Sequence, residues 1–215
     1  SAQTQASGWT SGATVSVSTS TTKTWYAITS KLKSFTFVAN GATISKTSAS
    51  CTIWNSATTC SITLPTITRS GFTIHGFASS SSASSQASGW TSGATVNVNK
   101  DTALTWYAIT SKLVTVTFNS NGATISKTSD NCTIWNSATT CSIKSPTITR
   151  SGFTKVGFAT SASSTSSSWS ENTNKSFSSN ATYYAITYKD ITITVNGNGA
   201  TSGANSRSCE IWNTD

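Results

Sequence analysis

The sequence has little of what helices, membrane spans and catalytic sites require. It contains no methionine, two prolines and a single histidine, and only 9% of its residues are charged. Strong helix formers are scarce, and no apolar run is long enough to cross a membrane. Val, Ile, Thr, Trp, Tyr and Phe fill the periodic segments instead, and these residue types favour β-strands.

Apolar residues are nevertheless numerous enough to form a buried core. Hydrophobic residues make up 35% of the 215 positions, and they include 8 Trp, 5 Tyr and 8 Phe. This content argues against disorder, despite the abundance of Ser, Thr and Asn. A chain of this length forms one large domain or two to three small ones.

Long strings of residues recur at a fixed spacing of 81 positions. The strings at 6–15, 25–32 and 40–48 return at 87–96, 106–113 and 121–129. A looser copy follows at a spacing of 77, which aligns Tyr184 with Tyr107 and Cys209 with Cys132. Repetition of this kind indicates tandem structural units that stack on one another.

These spacings divide the chain into four segments. We expect the end of a repeat at 1–33, complete repeats at 34–113 and 114–190, and the start of a further repeat at 191–215. The sequence is therefore expected to be an excerpt or a processed piece of a longer protein. The lack of a signal peptide at Ser1 carries little weight for the same reason.

Each repeat opens with a pattern typical of a half-buried strand. Apolar residues alternate with polar ones, as Phe35 and Phe37 do in one copy and Val116 and Phe118 in the next. An Asn-Gly pair follows each of these segments, at 40–41, 121–122 and 198–199. Asn and Gly tolerate the positive φ angles of tight turns, so we expect a turn after each opening strand.

Two further motifs resemble a known repeat family. Arg-Ser-Gly-Phe-Thr-x-x-Gly-Phe-Ala occurs at 69–78 and 150–159, and each unit closes with Tyr-Ala-Ile-Thr. In order and spacing the chain resembles the Listeria–Bacteroides repeat, also called the internalin B-type repeat. That resemblance implies small β-grasp-like units in tandem on a bacterial surface protein. The chain departs from the family pattern where Phe or Thr replaces Trp, at Phe77, Phe158, Thr29, Thr110 and Thr187.

The cysteines carry the strongest chemical signal. Two C-x8-C pairs, Cys51 with Cys60 and Cys132 with Cys141, match each other letter for letter, whereas the partner position of Cys209 falls beyond the last residue. A disulfide across such a loop stabilises by roughly 3 kcal/mol in the chain-entropy model. Zinc needs four ligands, and no second Cys pair or recurring His accompanies each loop. We favour disulfides over a metal site or free thiols, and disulfides place the protein outside the cytosol.

A tryptophan lies inside each cysteine-bracketed loop. Trp54, Trp135 and Trp212 are candidate binding residues, because an exposed indole can hold a sugar ring or an apolar patch of a partner. The alternative is that the indole packs over the disulfide or against the next repeat and enlarges a small core. We favour packing, since Ile53 beside Trp54 also requires burial.

The net charge of +8 does not indicate nucleic-acid binding. Its 14 Lys and Arg are spread along the chain, whereas nucleic-acid binders concentrate basic residues on one face or in a recognisable motif. A lightly charged surface explains the distribution best. Weak attraction to an anionic cell-wall polymer or a glycan is the alternative.

No catalytic or cofactor-binding set recurs between repeats. The only histidine, His75, is replaced by Val156 in the second repeat, and the six acidic residues do not occupy matched positions. Triads, P-loops and dinucleotide motifs are absent from the sequence. We therefore expect neither enzymatic activity, nor a cofactor, nor a metal site.

Taken together, these patterns predict a mainly β chain built as an elongated tandem array. Each small repeat would carry a disulfide-closed loop, with neighbouring repeats, and in a filament other copies of the chain, as its partners. The function we expect is that of an extracellular or surface-anchored stalk or fibre of a bacterial protein. The alternative is an adhesin module that binds a glycan or a host protein through the loop tryptophans.

Overall fold

The structure is a computed structural model that describes residues 2–16, 24–199 and 206–213. Strands, turns and bends account for the assigned structure of these residues, so the expectation of a mainly β chain is confirmed. None of the described residues belongs to a helix that could cross a membrane. The chain forms two compact units, Ser1–Ser111 with Trp135–Ser137, and Lys112–Ile134 with Ala138–Asp215.

The first unit is a set of strands from the first complete sequence repeat. They are β1 (Ser30–Val38), β2 (Thr43–Ile44), β3 (Ser48–Trp54), β4 (Thr59–Thr63), β5 (Ile67–Thr68), β6 (Thr73–Ala78), β7 (Thr95–Asn99) and the first part of β8 (Thr105–Asn119). Strand β1 pairs antiparallel with β3 and parallel with β8, and β8 pairs antiparallel with β6. Strands β2 and β5 form one small ribbon, and β4 and β7 form another.

The opening strand β1 provides one wall of the core of this unit. Phe35 and Phe37 point inward and are buried, as their alternation with polar residues predicts. The ring of Phe37 meets that of Phe77 edge to face, with centroids 5.4 Å apart. Trp90 stacks on Trp106 with centroids 3.3 Å apart. The remaining core members are Ile62, Leu64, Ile67, Val98 and Ala108.

The second unit repeats this arrangement. Its strands are the last part of β8, β9 (Thr124–Ile125), β10 (Ser129–Trp135), β11 (Cys141–Lys144), β12 (Ile148–Thr149), β13 (Thr154–Ala159), β14 (Asn174–Phe177), β15 (Ala181–Thr194) and β16 (Ser206–Trp212). The opening strand is now the end of β8, which pairs parallel with β15. Strand β15 pairs antiparallel with β13 and with β16, and β10 pairs with β8. Two-stranded ribbons join β9 to β12 and β11 to β14.

The core of the second unit keeps the same positions, and some of its residues differ. On the buried face of the opening strand Val116 replaces Phe35, whereas Phe118 is the same residue type as Phe37. Trp169 meets Tyr183 edge to face at 5.1 Å, at the positions where the first unit stacks two indoles. The aromatic pair at these positions is therefore stacked in the first unit and edge to face in the second.

A glycine in each unit allows a β-bulge opposite the closing strand. The pairing of β6 with β8 shifts register between Ile74 and Gly76, and that of β13 with β15 shifts between Lys155 and Gly157. Both glycines have a φ of 131°, a conformation in which a side chain is strained. A Cβ on Gly157 would also lie 2.7 Å from the carbonyl oxygen of Trp169.

Candidate functional site

Both cysteine pairs form disulfides. Cys51 of β3 is bonded to Cys60 of β4 with their Cα atoms 5.9 Å apart, and Cys132 of β10 is bonded to Cys141 of β11 at 5.8 Å. Strand β3 belongs to the large sheet, whereas β4 pairs with β7 in a separate ribbon. The disulfide therefore links two parts of the first unit that share no backbone ladder, and the second unit has the equivalent link.

Cys209 is a free thiol on the exposed face of β16. It lies opposite Ile191 of β15 in the antiparallel pair. Its position in the repeat is that of Cys51 and Cys132.

The loop tryptophans are half-buried in all three copies. The Trp135 ring lies 5.3 Å from that of His75, and the Trp212 ring stacks on that of Tyr188 at 4.8 Å. Trp54 ends β3 and lies opposite Ser30 in the sheet. Each of these indoles is thus neither fully buried nor fully exposed.

His75 occupies the β-bulge of the first unit. Its Nε2 lies 2.8 Å from the Ser111 hydroxyl oxygen, and its ring faces Trp135. At the equivalent bulge of the second unit stands Val156. His75 therefore has a local packing role in one repeat, and no group of three or more His, Cys, Asp or Glu residues in the described parts of the chain could hold a metal ion.

The asparagine after each loop tryptophan forms a network of hydrogen bonds. In the first unit the backbone N–H of Asn136 donates to the Thr110 carbonyl at 2.9 Å, and the Thr110 N–H donates to Asn136 Oδ1 at 3.2 Å. Asn136 Nδ2 donates to the carbonyl oxygens of Ser81 and Ala83, at 3.0 and 2.9 Å. The side chain is buried with both of its polar atoms satisfied, as buried amides require.

An arginine completes this arrangement, which we call the asparagine joint. Arg69 Nη1 donates to Thr110 Oγ1 at 2.8 Å and to the Asn136 carbonyl oxygen. The guanidinium lies over the Phe72 ring, 3.5 Å from its centroid. Desolvation lowers the pKa of Arg69 from its usual value, but a guanidinium stays charged at any physiological pH.

The asparagine joint occurs twice in the described residues, and its Asn–Thr pair occurs a third time without the arginine contacts. In the second unit Asn213 exchanges backbone and side-chain hydrogen bonds with Thr187, and Arg150 donates to the Thr187 hydroxyl at 3.0 Å and to the Asn213 carbonyl oxygen. Asn213 Nδ2 donates to the Ser164 carbonyl at 2.9 Å. A reduced version pairs Asn55 with Thr29, and Asn55 Nδ2 donates to the Ala2 carbonyl at 3.0 Å.

Backbone conformation explains why asparagine is used at this position. Asn55, Asn136 and Asn213 have φ angles of 52°, 52° and 59°. Asparagine is one of the few residues with a side chain that tolerate this left-handed conformation, and its amide can both accept and donate hydrogen bonds. Sequence reasoning missed the joint, although the signal was present, since the Asn follows the Trp in every copy and a Thr closes every unit.

A shallow cleft lies beside the disulfide-closed loop of the first unit. Its volume is about 430 Å³. It is lined by the cross-strand neighbours Lys31 and Ile53, by Ala57 and Thr58 of the loop, and by the turn from Asn99 to Asp101. Its amide, hydroxyl and charged groups are of the kinds that hydrogen-bond to a polar ligand.

Ion pairs are few and differ between the units. Lys155 Nζ lies 2.5 Å from Glu171 Oε1, and the backbone N–H of Ile148 donates to Glu171 Oε2 at 2.8 Å. The hydrogen bond from Lys155 and then that from Ile148 lower the pKa of Glu171. In the first unit the hydroxyl of Ser92 accepts the corresponding bond, from the N–H of Ile67 at 2.7 Å. The carboxylate acceptor Glu171 is thus specific to the second unit, since a serine hydroxyl accepts the equivalent bond in the first.

The chain matches no protein-family model, no curated protein and no solved structure.

Proposed function

We propose that this chain is a structural tandem-repeat segment, a stalk or fibre that holds another part of a bacterial protein away from the cell. Each repeat would be a small β-grasp-like unit, and successive repeats would form an elongated array. The parallel pairing of opening and closing strands, present in both units, supports the β-grasp-like description. The resemblance of the repeat motifs to the Listeria–Bacteroides repeat supports a location on the surface of a bacterial cell.

The asparagine joint is the observation that carries this proposal. Asn136 belongs to the second sequence repeat, yet it is buried in the first compact unit, where it binds the closing residue Thr110. The joint recurs with Asn213, and its Asn–Thr pair recurs with Asn55. A repeat that places one of its residues in the unit before it has a defined connection to its neighbour, and a spacer requires such a connection.

The disulfides support a location outside the cytosol. Structural disulfides persist in oxidising compartments, and the chain has one in each complete repeat. We propose secretion or anchoring at the cell surface on this basis. Self-association into a filament fits the same role, because exposed strands with few charges are poorly protected against edge pairing.

Small-angle X-ray scattering tests the proposed spacer. A compact domain of 215 residues has a radius of gyration of about 17 Å. We expect the monomeric chain to exceed about 22 Å, since an array in one dimension is longer than a sphere of equal mass. A radius of gyration near 17 Å would indicate a compact chain and would contradict the proposed stalk.

An adhesin is the second candidate, and the cleft beside the disulfide-closed loop is the observation that favours it. Trp54 ends the strand that leads into that loop and is half-buried. Replacing Trp54 and Trp135 with Ala separates the two functions. Loss of glycan or host-cell binding at an unchanged melting temperature supports the adhesin, whereas a lower melting temperature with no binding in either protein supports the spacer.

A further inference from the structure

Each complete repeat contains a parallel pair made of its opening and closing strands. In the first unit residues 36–38 of β1 pair with 105–107 of β8, and in the second unit residues 116–119 of β8 pair with 181–184 of β15. Tension along the chain pulls the opening strand toward its N-terminal end and the closing strand toward its C-terminal end. In a parallel pair these two pulls are opposite and lie along the strands, so tension acts on the pair in shear.

The direction of the load decides how such a pair breaks. The hydrogen bonds of a parallel pair are evenly spaced along the strands, so under shear they share the load and must break together. A load across the strands acts instead on the bond at one end, and the bonds then open one after another. Because a single hydrogen bond contributes little to stability, a pair that must break as a whole resists more force.

Both strands of the first pair are also held along their other edges. Residues 30–36 of β1 pair with β3, and residues 107–111 of β8 pair with β6. The backbone donors of β1 alternate between its two neighbours, since the Thr36 N–H donates to the Leu104 carbonyl at 2.8 Å and the Phe37 N–H donates to the Thr47 carbonyl at 2.8 Å. Tension on β1 therefore loads two rows of hydrogen bonds.

The inner face of each parallel pair is shielded from water by large aromatic residues. Phe37 lies opposite Trp106 in the first unit, and Phe118 lies opposite Tyr183 in the second. All four side chains are buried. Hydrogen bonds in surroundings of low dielectric are stronger than those in water, so burial reinforces the bonds that tension loads.

We propose that the parallel pair of each complete repeat is a mechanical clamp, which keeps the repeat folded while tension acts along the chain. This inference rests on the proposed stalk or fibre and identifies the part of each repeat that bears load. Strand β8 runs without a loop from Thr105 to Asn119, so it contains no slack segment that extends under low force. The chain then keeps its length under tension until a clamp breaks.

Optical tweezers with DNA handles on two cysteines test the clamp of the first unit. Both proteins carry Ser34→Cys for the first handle, and the second handle is attached through Leu113→Cys in one protein and Leu104→Cys in the other. Both also carry Cys209→Ser, so that only the introduced thiols react. All three attachment residues are exposed, so the handles displace no core residue.

The two handle positions load the same clamp in different directions. A handle at position 113 pulls along the strands, whereas a handle at 104 pulls across them, because positions 34 and 104 both precede the parallel pair. Unfolding should lengthen the chain by about 220 Å in either case, since the closed disulfide withholds nine positions. We expect a mean unfolding force at least about twofold higher with the handle at 113, because three residue pairs then share the load. Equal forces overturn the proposal.

A pair of substitutions separates the clamp from general stability. Thr36→Pro removes the N–H that donates to the Leu104 carbonyl. Ile62→Ala is the control, because Ile62 is buried on β4 and its truncation weakens the core without removing a hydrogen bond of the clamp. Both variants are pulled with handles at 34 and 113, and their free energies of unfolding are measured in urea.

We expect Thr36→Pro to lower the unfolding force more, per unit of stability lost, than Ile62→Ala does. An equal or smaller loss of force overturns the clamp. If Thr36→Pro does not fold, the comparison of the two handle positions decides alone, since it leaves the strands of the clamp unchanged. Equal forces at the two handle positions, combined with a large radius of gyration in scattering, would overturn the clamp and leave the proposed spacer standing.

Discussion

Asn136 and Thr110 form a reciprocal hydrogen-bonded pair although 26 positions separate them in the sequence. The Asn136 N–H donates to the Thr110 carbonyl, and the Thr110 N–H donates to the Asn136 side chain. Thr110 is fully buried, so its N–H has no water to replace this acceptor. One amide side chain of the second sequence repeat thus satisfies a buried backbone donor of the residue that closes the first.

Replacing Asn136 with Ala should destabilise the chain by about 2–4 kcal/mol in urea denaturation. Loss of the acceptor leaves a buried N–H unsatisfied, at about 1–3 kcal/mol, and Ala is strained at a φ of 52°. Asn136→Gly removes the side chain without that strain, so it should cost less than Asn136→Ala. Asn131→Ala, at an exposed position five residues earlier, is the control and should change little. Equal effects at positions 136 and 131 would contradict the role given to the joint.

Replacing Cys51 and Cys60 with Ser should lower the free energy of unfolding by about 3 kcal/mol. The bond constrains the unfolded chain and links β3 to β4, which do not pair through their backbones. Cys209→Ser alone should have no effect, because that thiol is free and exposed. Thermal denaturation of the two variants, with and without reductant, measures the difference. An unchanged melting temperature on loss of the disulfide would count against its stabilising role.

Gly157→Ala should cost more stability than Gly152→Ala. Both glycines have positive φ angles, 131° and 73°, so both substitutions introduce backbone strain of about 1 kcal/mol or more. Only at Gly157 does the new Cβ meet other atoms, the Trp169 oxygen at 2.7 Å and Ser167 Cβ at 2.9 Å. We expect the free energy of unfolding to fall by about 1 kcal/mol for the substitution at position 152 and by about 2–4 kcal/mol for that at position 157, measured by urea denaturation. The reverse order would show that the bulge accommodates a side chain.

The carboxylate of Glu171 should make stability depend on pH in acid. Hydrogen bonds from Lys155 and Ile148 lower its pKa in the folded state below the unfolded value of about 4.3. The contribution is therefore fully present above about pH 4.3 and is lost as the pH falls through the lower folded pKa. Glu171→Gln keeps an acceptor for the Ile148 N–H but loses the charge. The stability difference between parent and variant should shrink from pH 7 to pH 3, and a constant difference would refute this assignment.

The alternating strands and the disulfides could be predicted because both depend on short-range patterns. The period-two pattern around Phe35 and Phe37 placed both rings in a core, and both are buried. Cys51 and Cys60 are only nine positions apart, so a disulfide between them closes a short loop and could be predicted from the spacing alone. Local sequence carries this information without knowledge of the rest of the fold.

The asparagine joint and the parallel strand pairs could not be predicted in the same way. Phe37 pairs with Trp106, and no local pattern specifies which strand lies beside which over that separation. The role of Asn136 depends on carbonyl groups of Ser81 and Ala83, whose positions follow from the tertiary fold. The continuity of β8 could have been predicted, however. No Gly or Pro lies between Thr110 and Val114 to indicate a turn, and the strand continues through these residues.

In the proposed spacer every repeat adds a fixed length. Scattering from the parent chain and from chains with one, two and three additional copies of residues 34–113 tests it most directly. An elongated array predicts a radius of gyration that rises in equal steps and roughly doubles over the series, because length then grows in proportion to residue number. Compact packing predicts growth from about 17 to about 23 Å over the same series. The second result would contradict the proposed function.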